Sequence, residues 1–193
     1  MFIGLINLFN NFIFSWLPFS FMEEIEVKFL EVDKGAIIKK LESLGAKKVF
    51  EGEVDASFYD FPDSRLKKDG SLLRLRTKGE NAELTFKKKI SKEEAKIMKE
   101  LEIKLDDPAS MKRILDTIGL VKQKSYVKYR SSYKLGDVSF ELDTFPGIPT
   151  FLEIEAPSIA EIKVHAEKLG LSMADAKPWG GGEVLRHYEE RSS

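Results

Sequence analysis

Pairs of like-charged residues, each separated by a single residue, recur along this sequence. The acidic pairs are Glu24/Glu26, Glu100/Glu102, Glu141/Asp143 and Glu153/Glu155. The basic pairs are Arg74/Arg76, Lys87/Lys89 and Lys128/Arg130. On a β-strand such residues share a face about 6–7 Å apart, where two carboxylates repel by about 2–3 kcal/mol at an effective dielectric of about 20. An acidic pair therefore favours a cation beside it, and a basic pair favours an anion.

This combination of charges suits a polyanion that carries its own divalent metal ion. Lysine and arginine would grip phosphate oxygens, and the carboxylates would hold the metal. The sequence has no cysteine and only two histidines, His165 and His187. Disulfides, zinc–thiolate sites and thiol nucleophiles are therefore excluded. A metal site built from carboxylates favours Mg²⁺ or Mn²⁺ over Zn²⁺.

The charged pairs lie in segments that alternate between ionisable and apolar residues, as half-buried strands do. Three of the acidic strands, 24–28, 100–104 and 153–155, each lead into a predicted helix. Helix N-caps are expected at Asp33, Asp107 and Ser158, the last forming a capping box with Glu161. The glycines expected to end these helices are Gly45, Gly119 and Gly170. The pattern indicates a repeated ββα plan with a partial third copy, and chance recurrence is the alternative.

The other strands are expected mainly in hairpins. Segments 72–78 and 82–90 predict one hairpin, segments 125–133 and 137–143 predict another, and residues 57–61 predict a further strand. Two short segments have their own signals. Ser91 with Glu94 predicts a short helix over residues 92–98, and the glycine run at 180–182, which lacks P-loop context, predicts a loop.

Together these elements predict an α+β fold of about eight mainly antiparallel strands with flanking helices. A solvated sheet face ordinarily mixes serine and threonine with charged residues, whereas here nearly every polar position is ionisable. We therefore expect a closed barrel with a charged, wet interior and an apolar outside covered by helices. The alternative is a common sandwich whose charges face water.

The first 21 residues carry no charge, unlike the rest of the chain. They lack the basic start and cleavage site of a signal peptide. Three asparagines and Pro18 make a membrane span a poor fit. A helix packed on the domain is a further option. The preferred interpretation is an N-terminal extension, 1–21, ahead of a natural start at Met22, with residues 22–193 forming one domain.

The charge balance also limits the partners. Lysine and arginine total 31 against 32 acidic residues, so the net charge of -1 argues against a nucleic-acid coat. The absence of cysteine fits a reducing compartment, and we expect a cytoplasmic location with no membrane partner. The oligomeric state is open, with a homodimer among the options.

The ordered motifs resemble one known family. Residues 24–28 (EIEVK) look like the ExExK signature that opens the CYTH domain of the triphosphate tunnel metalloenzymes. The later blocks are also similar: DASFYDFP at 55–62, LRLR at 73–76, TFK at 85–87, ELE at 100–102, KYR at 128–130, ELD at 141–143 and FLEIE at 151–155. The resemblance covers residues 22–188 and implies an eight-stranded antiparallel tunnel.

The resemblance also implies roles for individual residues. The expected metal-site residues are Glu24, Glu26, Asp143, Glu153 and Glu155. The expected triphosphate-binding residues are Lys28, Arg74, Arg76, Lys87, Lys128 and Arg130. Further lumen candidates are Lys89, Glu100, Glu102 and Glu141. The extra lysine, Lys89, leaves open whether it or Lys87 reaches phosphate.

Family members include class IV adenylate cyclases, thiamine triphosphatases and inorganic triphosphatases. The leading expectation is a class IV adenylate cyclase-like enzyme that uses Mg²⁺ or Mn²⁺ to convert ATP to cyclic AMP and pyrophosphate. The second is a triphosphatase acting on tripolyphosphate, a nucleoside triphosphate or thiamine triphosphate. The third is a binding module for nucleotides or polyphosphate without catalysis. In each case the partner is a small molecule that contains a triphosphate or a similar polyanion.

Overall fold

A computed structural model describes residues 22–191. Within that range eight strands form a closed barrel: β1 (Met22–Phe29), β2 (Lys47–Asp60), β3 (Ser71–Lys78), β4 (Asn81–Lys92), β5 (Lys96–Leu105), β6 (Val121–Leu135), β7 (Val138–Thr144) and β8 (Phe151–Glu155). The helices are α1 (Lys34–Ser43), α2 (Arg65–Lys68), α3 (Pro108–Thr117), α4 (Ile159–Lys168) and α5 (Gly181–Arg191), with a 3₁₀ turn at Met173–Asp175.

The strands follow one another around the barrel in the order β1-β5-β4-β3-β2-β6-β7-β8, and β8 closes on β1. Every neighbouring pair is antiparallel. The predicted α+β fold, a closed eight-stranded antiparallel tunnel, is therefore confirmed.

Apolar residues of the strands face outward and are covered by helices. The largest cluster joins Val27 and Ile154 of the barrel to Leu41 of α1 and Ile162 of α4, all completely buried. A second cluster forms beneath Leu115 of α3. Because the apolar faces lie under helices, the ionisable faces of the same strands are directed into the barrel. A sandwich with its charges facing bulk water is excluded.

The predicted helix caps are present. The carboxylate of Asp33 accepts from the Ala36 amide at 2.9 Å, and that of Asp107 accepts from the Ser110 amide at 3.0 Å. Ser158 Oγ accepts from the Glu161 amide at 3.2 Å. The glycines after the helices, Gly45, Gly119 and Gly170, have φ values of 84°, 88° and 72°, in the left-handed region that glycine adopts without steric cost.

The predicted short helix over residues 92–98 is wrong. Strand β4 continues to Lys92 and β5 starts at Lys96, so the segment is the tip of a hairpin in which Ser91 pairs with Ile97. Ala95 at this tip is 1% exposed and packs in the largest apolar cluster. Strand pairing and this burial override the local capping signal.

The predicted loop at 180–182 is also wrong in part. Gly181 and Gly182 begin α5. The helix is held by Val184, which is buried against Phe145 and Phe151, and by Glu183, which accepts from the Gly180 amide at 2.9 Å. These tertiary contacts compensate for the poor helix propensity of glycine.

Within residues 22–191, no helix has the length and apolarity needed to cross a membrane.

Residues 1–21, the predicted extension, lie outside the described residues. The barrel closes through pairing of Val27 with Ile154 and of Phe29 with Leu152, and this pairing involves no residue upstream of Met22.

A chain that starts at Met22 should therefore fold and melt cooperatively, with a melting temperature within a few degrees of that of the full chain. Circular dichroism on both chains checks this, and an unfolded shorter chain would make residues 1–21 part of the domain.

A charged tunnel as the candidate active site

The barrel encloses a cavity of about 850 Å³. All but two of the predicted site residues line it: Glu24, Glu26, Lys28, Arg74, Arg76, Lys87, Glu100, Glu102, Lys128, Arg130, Glu141, Glu153 and Glu155. The exceptions are Asp143 and Lys89. The alternation of the strands therefore brings oppositely charged groups from seven strands into one chamber.

One wall of the tunnel is acidic. Strand register places Glu26 opposite Glu155 across β1 and β8, with Glu24 one position further on the same face of β1. Burial and the neighbouring Glu26 raise the pKa of Glu24, and its Oε2 atom is buried without a hydrogen-bond partner. Burial, followed by Glu24 and Glu153, raises the pKa of Glu155 to about 8. This acidic wall, formed by Glu24, Glu26, Glu153 and Glu155, therefore holds more negative charge than the neighbouring lysines neutralise.

Lysines partly neutralise that wall. Lys28 Nζ lies 2.8 Å from Glu26 Oε1 and 2.7 Å from Glu153 Oε2. Lys96 Nζ lies 2.7 Å from the same Glu26 oxygen, and Lys87 is paired with Glu24. Burial and Glu153 act to raise the pKa of Glu26, but Lys28, Lys96 and Lys87 outweigh them and lower it. Glu26 is therefore ionised and bridges two lysines.

A second group of charges is organised around Asp143, which is completely buried. Its carboxylate accepts from Lys128 Nζ at 2.5 Å and from Arg130 Nε and Nη2, each at 2.6 Å. Burial and the adjacent Arg130 lower the pKa of Lys128 to about 8. Asp143 thus lies behind the two cations that face the cavity, and the structure does not bring it to the cavity surface with the other predicted metal ligands.

The arginines of β3 meet β4. Arg76 pairs with Glu83, and Arg74 Nη2 lies 3.3 Å from Thr85 Oγ1 and 3.5 Å from the same glutamate. Strand register explains these contacts, since Arg76 is opposite Glu83 and Arg74 is opposite Thr85. Glu83 was not predicted, although it belongs to the same alternating face as Thr85 and Lys87.

Lys89 does not line the cavity. It is exposed, and a β-bulge interrupts the β4–β5 register between Lys89 and Ser91. Of the two lysines considered for phosphate contact, Lys87 is the one that faces the tunnel.

Several residues that line the cavity were not predicted: Phe58, Lys78, Lys96, Lys124, Tyr126 and Arg186. Lys78 shares a face with the β3 arginines, and Lys124 and Tyr126 share one with Lys128. Extending the alternation by one or two positions would have found these three. Arg186 lies on α5, for which the sequence carried no signal.

The donor set fits a hard divalent cation. Among the described residues that line the cavity the anionic ligands are carboxylates, and neither His165 on α4 nor His187 on α5 lines it. The unpartnered Glu24 Oε2 and the raised pKa of Glu155 both mark negative charge that lacks a counter-ion. Within residues 22–191 no three His, Asp or Glu side chains already converge as a ligand set. Lysines pair with Glu24, Glu26 and Glu153.

Both the sequence and the fold are similar to known proteins. The CYTH domain family matches residues 22–176. A Methanocaldococcus jannaschii protein, named as a candidate adenylate cyclase, is 28% identical over 141 residues, covering 73% of this chain and 80% of its own. The structure of a Pyrococcus horikoshii protein is similar with a TM-score of 0.71 at 30% identity, covering 83% of this chain and 98% of its own. A Hippeastrum protein shares the fold with a TM-score of 0.60 at 17% identity, covering 85% of this chain and 95% of its own. Because the family match spans most of the sequence, this chain belongs to the CYTH domain family.

Proposed function

We propose that the protein is a divalent-metal-dependent enzyme that acts on a triphosphate substrate in this tunnel, converting ATP to cyclic AMP and pyrophosphate. The observation that carries the proposal is the composition of one cavity. The acidic wall shares it with the six cations expected to bind phosphate: Lys28, Arg74, Arg76, Lys87, Lys128 and Arg130. The candidate adenylate cyclase of Methanocaldococcus jannaschii supports the cyclase over other reactions.

Substrate binding would exchange partners within the tunnel. Lys87 and Lys96 now pair with Glu24 and Glu26. If these lysines turned to phosphate oxygens, Glu24 and Glu26 would become free to hold a metal ion. Charge-assisted hydrogen bonds to phosphate replace those to carboxylate, so the exchange costs little.

The metal-binding residues in this proposal are Glu24, Glu26, Glu153 and Glu155. A bound Mg²⁺ or Mn²⁺ would neutralise charge that develops on the phosphate oxygens. Asp143 would act from behind, holding Lys128 and Arg130 toward the substrate. Preorganised cations of this kind stabilise the transition state of phosphoryl transfer.

In the cyclase reaction the ribose 3′-oxygen attacks the α-phosphorus of ATP. A new O–P bond forms as the bond from the α-phosphorus to the bridging oxygen breaks, and pyrophosphate leaves with that electron pair. The 3′-hydroxyl gives up its proton to a base. The cations of the tunnel fix the phosphate chain so that attack and departure lie in line.

The second candidate is a triphosphatase, in which water attacks the terminal phosphorus. It is favoured by the Hippeastrum protein, described as an adenylyl cyclase candidate with dominant triphosphatase activity on the same fold. Both reactions use the same cations and metal and differ in which phosphorus faces the nucleophile. A non-catalytic binding module is less well supported, since all four carboxylates proposed to hold metal line the cavity: Glu24, Glu26, Glu153 and Glu155.

One experiment separates these candidates. The protein is incubated with ATP, tripolyphosphate or thiamine triphosphate, each with Mg²⁺ or Mn²⁺, and the products are identified by chromatography. Cyclic AMP with pyrophosphate supports the cyclase, and inorganic phosphate supports the triphosphatase. Binding of all three without products would leave only the binding module.

Arg76→Ala should weaken triphosphate binding about ten- to hundredfold, because one charge-assisted hydrogen bond contributes about 1.5–3 kcal/mol. The fold should persist, since Arg76 lies in a wet cavity and supports little packing. Titration calorimetry with tripolyphosphate measures the affinity. Arg113→Ala on the exposed side of α3 is the control. A loss of stability in Arg76→Ala with unchanged affinity would contradict the role.

Activity should depend on metal and rise with pH. Below about pH 8 Glu155 is largely protonated and cannot bind a cation, since its pKa is raised to about 8. The metal concentration for half-maximal activity should therefore fall as the pH rises from about 6 to about 9. Excess chelator should abolish activity, and Glu155→Gln should flatten the pH dependence. Full activity in excess chelator would refute the metal requirement.

A further inference from the structure

Strand β5 extends past the start of its neighbour β1. Met22, the first residue of β1, lies opposite Glu100, whereas β5 continues to Leu105 and stays paired with β4 on its other side. Among the described residues, 22–191, no strand pairs with the side of residues 101–105 that faces away from β4. This end of β5 is therefore a free edge, with backbone amide and carbonyl groups available to a further strand.

The sequence of this free edge, LEIKL, complements itself when two copies run antiparallel. With Ile103 on a twofold axis, Glu102 of one copy lies opposite Lys104 of the other, and the reverse pair forms on the far side of the axis. Leu101 of one copy likewise lies opposite Leu105 of the other. Directly opposed unlike charges stabilise a sheet, whereas like charges destabilise it. The free edge can therefore pair with a second copy of itself in one favourable register.

The central side chains of the free edge are available for such pairing. Ile103 is 45% exposed. Lys104 is exposed, and within the described part of the chain no carboxylate forms an ion pair with it. Glu102 is also exposed, and its carboxylate accepts from Thr85 Oγ1 at 3.2 Å. A second copy would cover the isoleucine and bring an opposite charge to both the lysine and the glutamate.

A second copy suits the free edge better than the residues that directly precede Met22 in the sequence. Residues 17–21 (LPFSF) contain no charge that could oppose Glu102 or Lys104. Pro18 also has no amide hydrogen to donate to a neighbouring strand. Charge complementarity therefore selects the second copy as the occupant.

We propose that two copies of this chain form a symmetric dimer through antiparallel pairing of residues 101–105, with Ile103 on the twofold axis. The interface is isologous, because the same segment serves both copies. Main-chain hydrogen bonds of the shared sheet hold the copies together, and the crossed pairs of Glu102 with Lys104 set the register. A strand pair of this length buries less surface than a standard protein interface, so the dimer is weak and its population depends on protein concentration.

Analytical ultracentrifugation over a wide range of protein concentrations tests the dimer. The full chain should shift reversibly from monomer to dimer as its concentration rises. Lys104→Glu places like charges opposite each other at two positions and should raise the Kd of the dimer at least about tenfold. Lys112→Glu makes the same charge change on the exposed side of α3 and is the matched control. A full chain that stays monomeric throughout, or a Lys104→Glu variant that dimerises as well as the control, would overturn the proposal.

A mixing experiment tests the register. Glu102→Lys alone should dimerise as poorly as Lys104→Glu, because lysines then oppose each other. A mixture of these two variants restores unlike charges at both positions, so it should form heterodimers with a Kd near that of the unaltered chain. Ile103→Lys places two lysines against each other on the axis, should prevent dimerisation, and decides the question if Glu102→Lys does not fold by circular dichroism. Two folded variants that fail to associate when mixed, or an Ile103→Lys variant that still dimerises, would refute the pairing.

Discussion

Glu26→Gln should lower the turnover of ATP by more than about a hundredfold. Mutating even a residue that only supports a metal ligand typically lowers metal affinity or activity by about 10- to 100-fold. Glu26 is 3% exposed and lies between Lys28 and Lys96 on the acidic wall. The amide keeps the shape and one acceptor oxygen but removes the charge that a metal ion needs. Lys28 retains Glu153 as a partner, so the barrel should remain folded.

Steady-state kinetics across a range of Mg²⁺ concentrations measures the effect, and urea denaturation checks the fold. Glu23→Gln is the matched control, because Glu23 is adjacent on β1 but exposed outside the tunnel. The variant should also need more metal to reach its residual rate. If Glu26→Gln turned over ATP as fast as Glu23→Gln, the acidic wall would have no part in catalysis.

Asp143→Asn should lower the free energy of unfolding by about 3 kcal/mol, the usual result of removing one partner from a buried ion pair. Asp143 is completely buried and is the shared counter-charge of Lys128 and Arg130. Its loss removes the ion-pair partner of Lys128 and leaves Arg130 with longer contacts to Glu141 at 3.5 Å and Glu153 at 3.8 Å. The affinity for tripolyphosphate should fall as well, since the two cations are then held less firmly toward the cavity.

Urea denaturation of Asp143→Asn and of Glu141→Gln compares the loss of a completely buried carboxylate charge with the loss of one that lines the cavity. Glu141 is on the same face of β7 but lines the cavity, and its contact with Arg130 is longer, at 3.5 Å, so its loss should cost less than that of Asp143. Burial acts to raise the pKa of Asp143, but Arg130 and Lys128 lower it. Its contribution is therefore present above the unfolded pKa of about 3.9 and is lost as the pH falls further. Equal stability of the two variants would contradict the role of Asp143.

The alternation of the strands made the lumen predictable. Residues such as Arg74 and Arg76 face inward because side chains on a strand change face at every residue, whatever the register between strands. The same logic identified the barrel, since a closed sheet with helices outside accounts for apolar and ionisable faces together.

Features that depend on register or distant contacts could not be predicted in the same way. Whether Asp143 faces the cavity or lies behind its neighbours depends on its pairing with Arg130 across β6 and β7. Helix α5 starts with glycines and forms through Val184 and Glu183, whose partners are remote in sequence. Lys89 shares the alternating pattern of Lys87 but is exposed outside the cavity, and the pattern does not reveal where along β4 the cavity ends.

The position of β1 in the barrel has a consequence for the order of folding. Among the eight described strands β1 is synthesised first, but its neighbours in the barrel are β5 and β8. During synthesis most of the barrel is therefore made before β1 has both neighbours. Such distant pairing slows folding and leaves an open sheet edge in the intermediates. Glu24, Glu26 and Lys28 give that edge a charged face, and charges of this kind oppose intermolecular strand pairing. The residues proposed to hold metal and phosphate would thus also protect the nascent chain from aggregation.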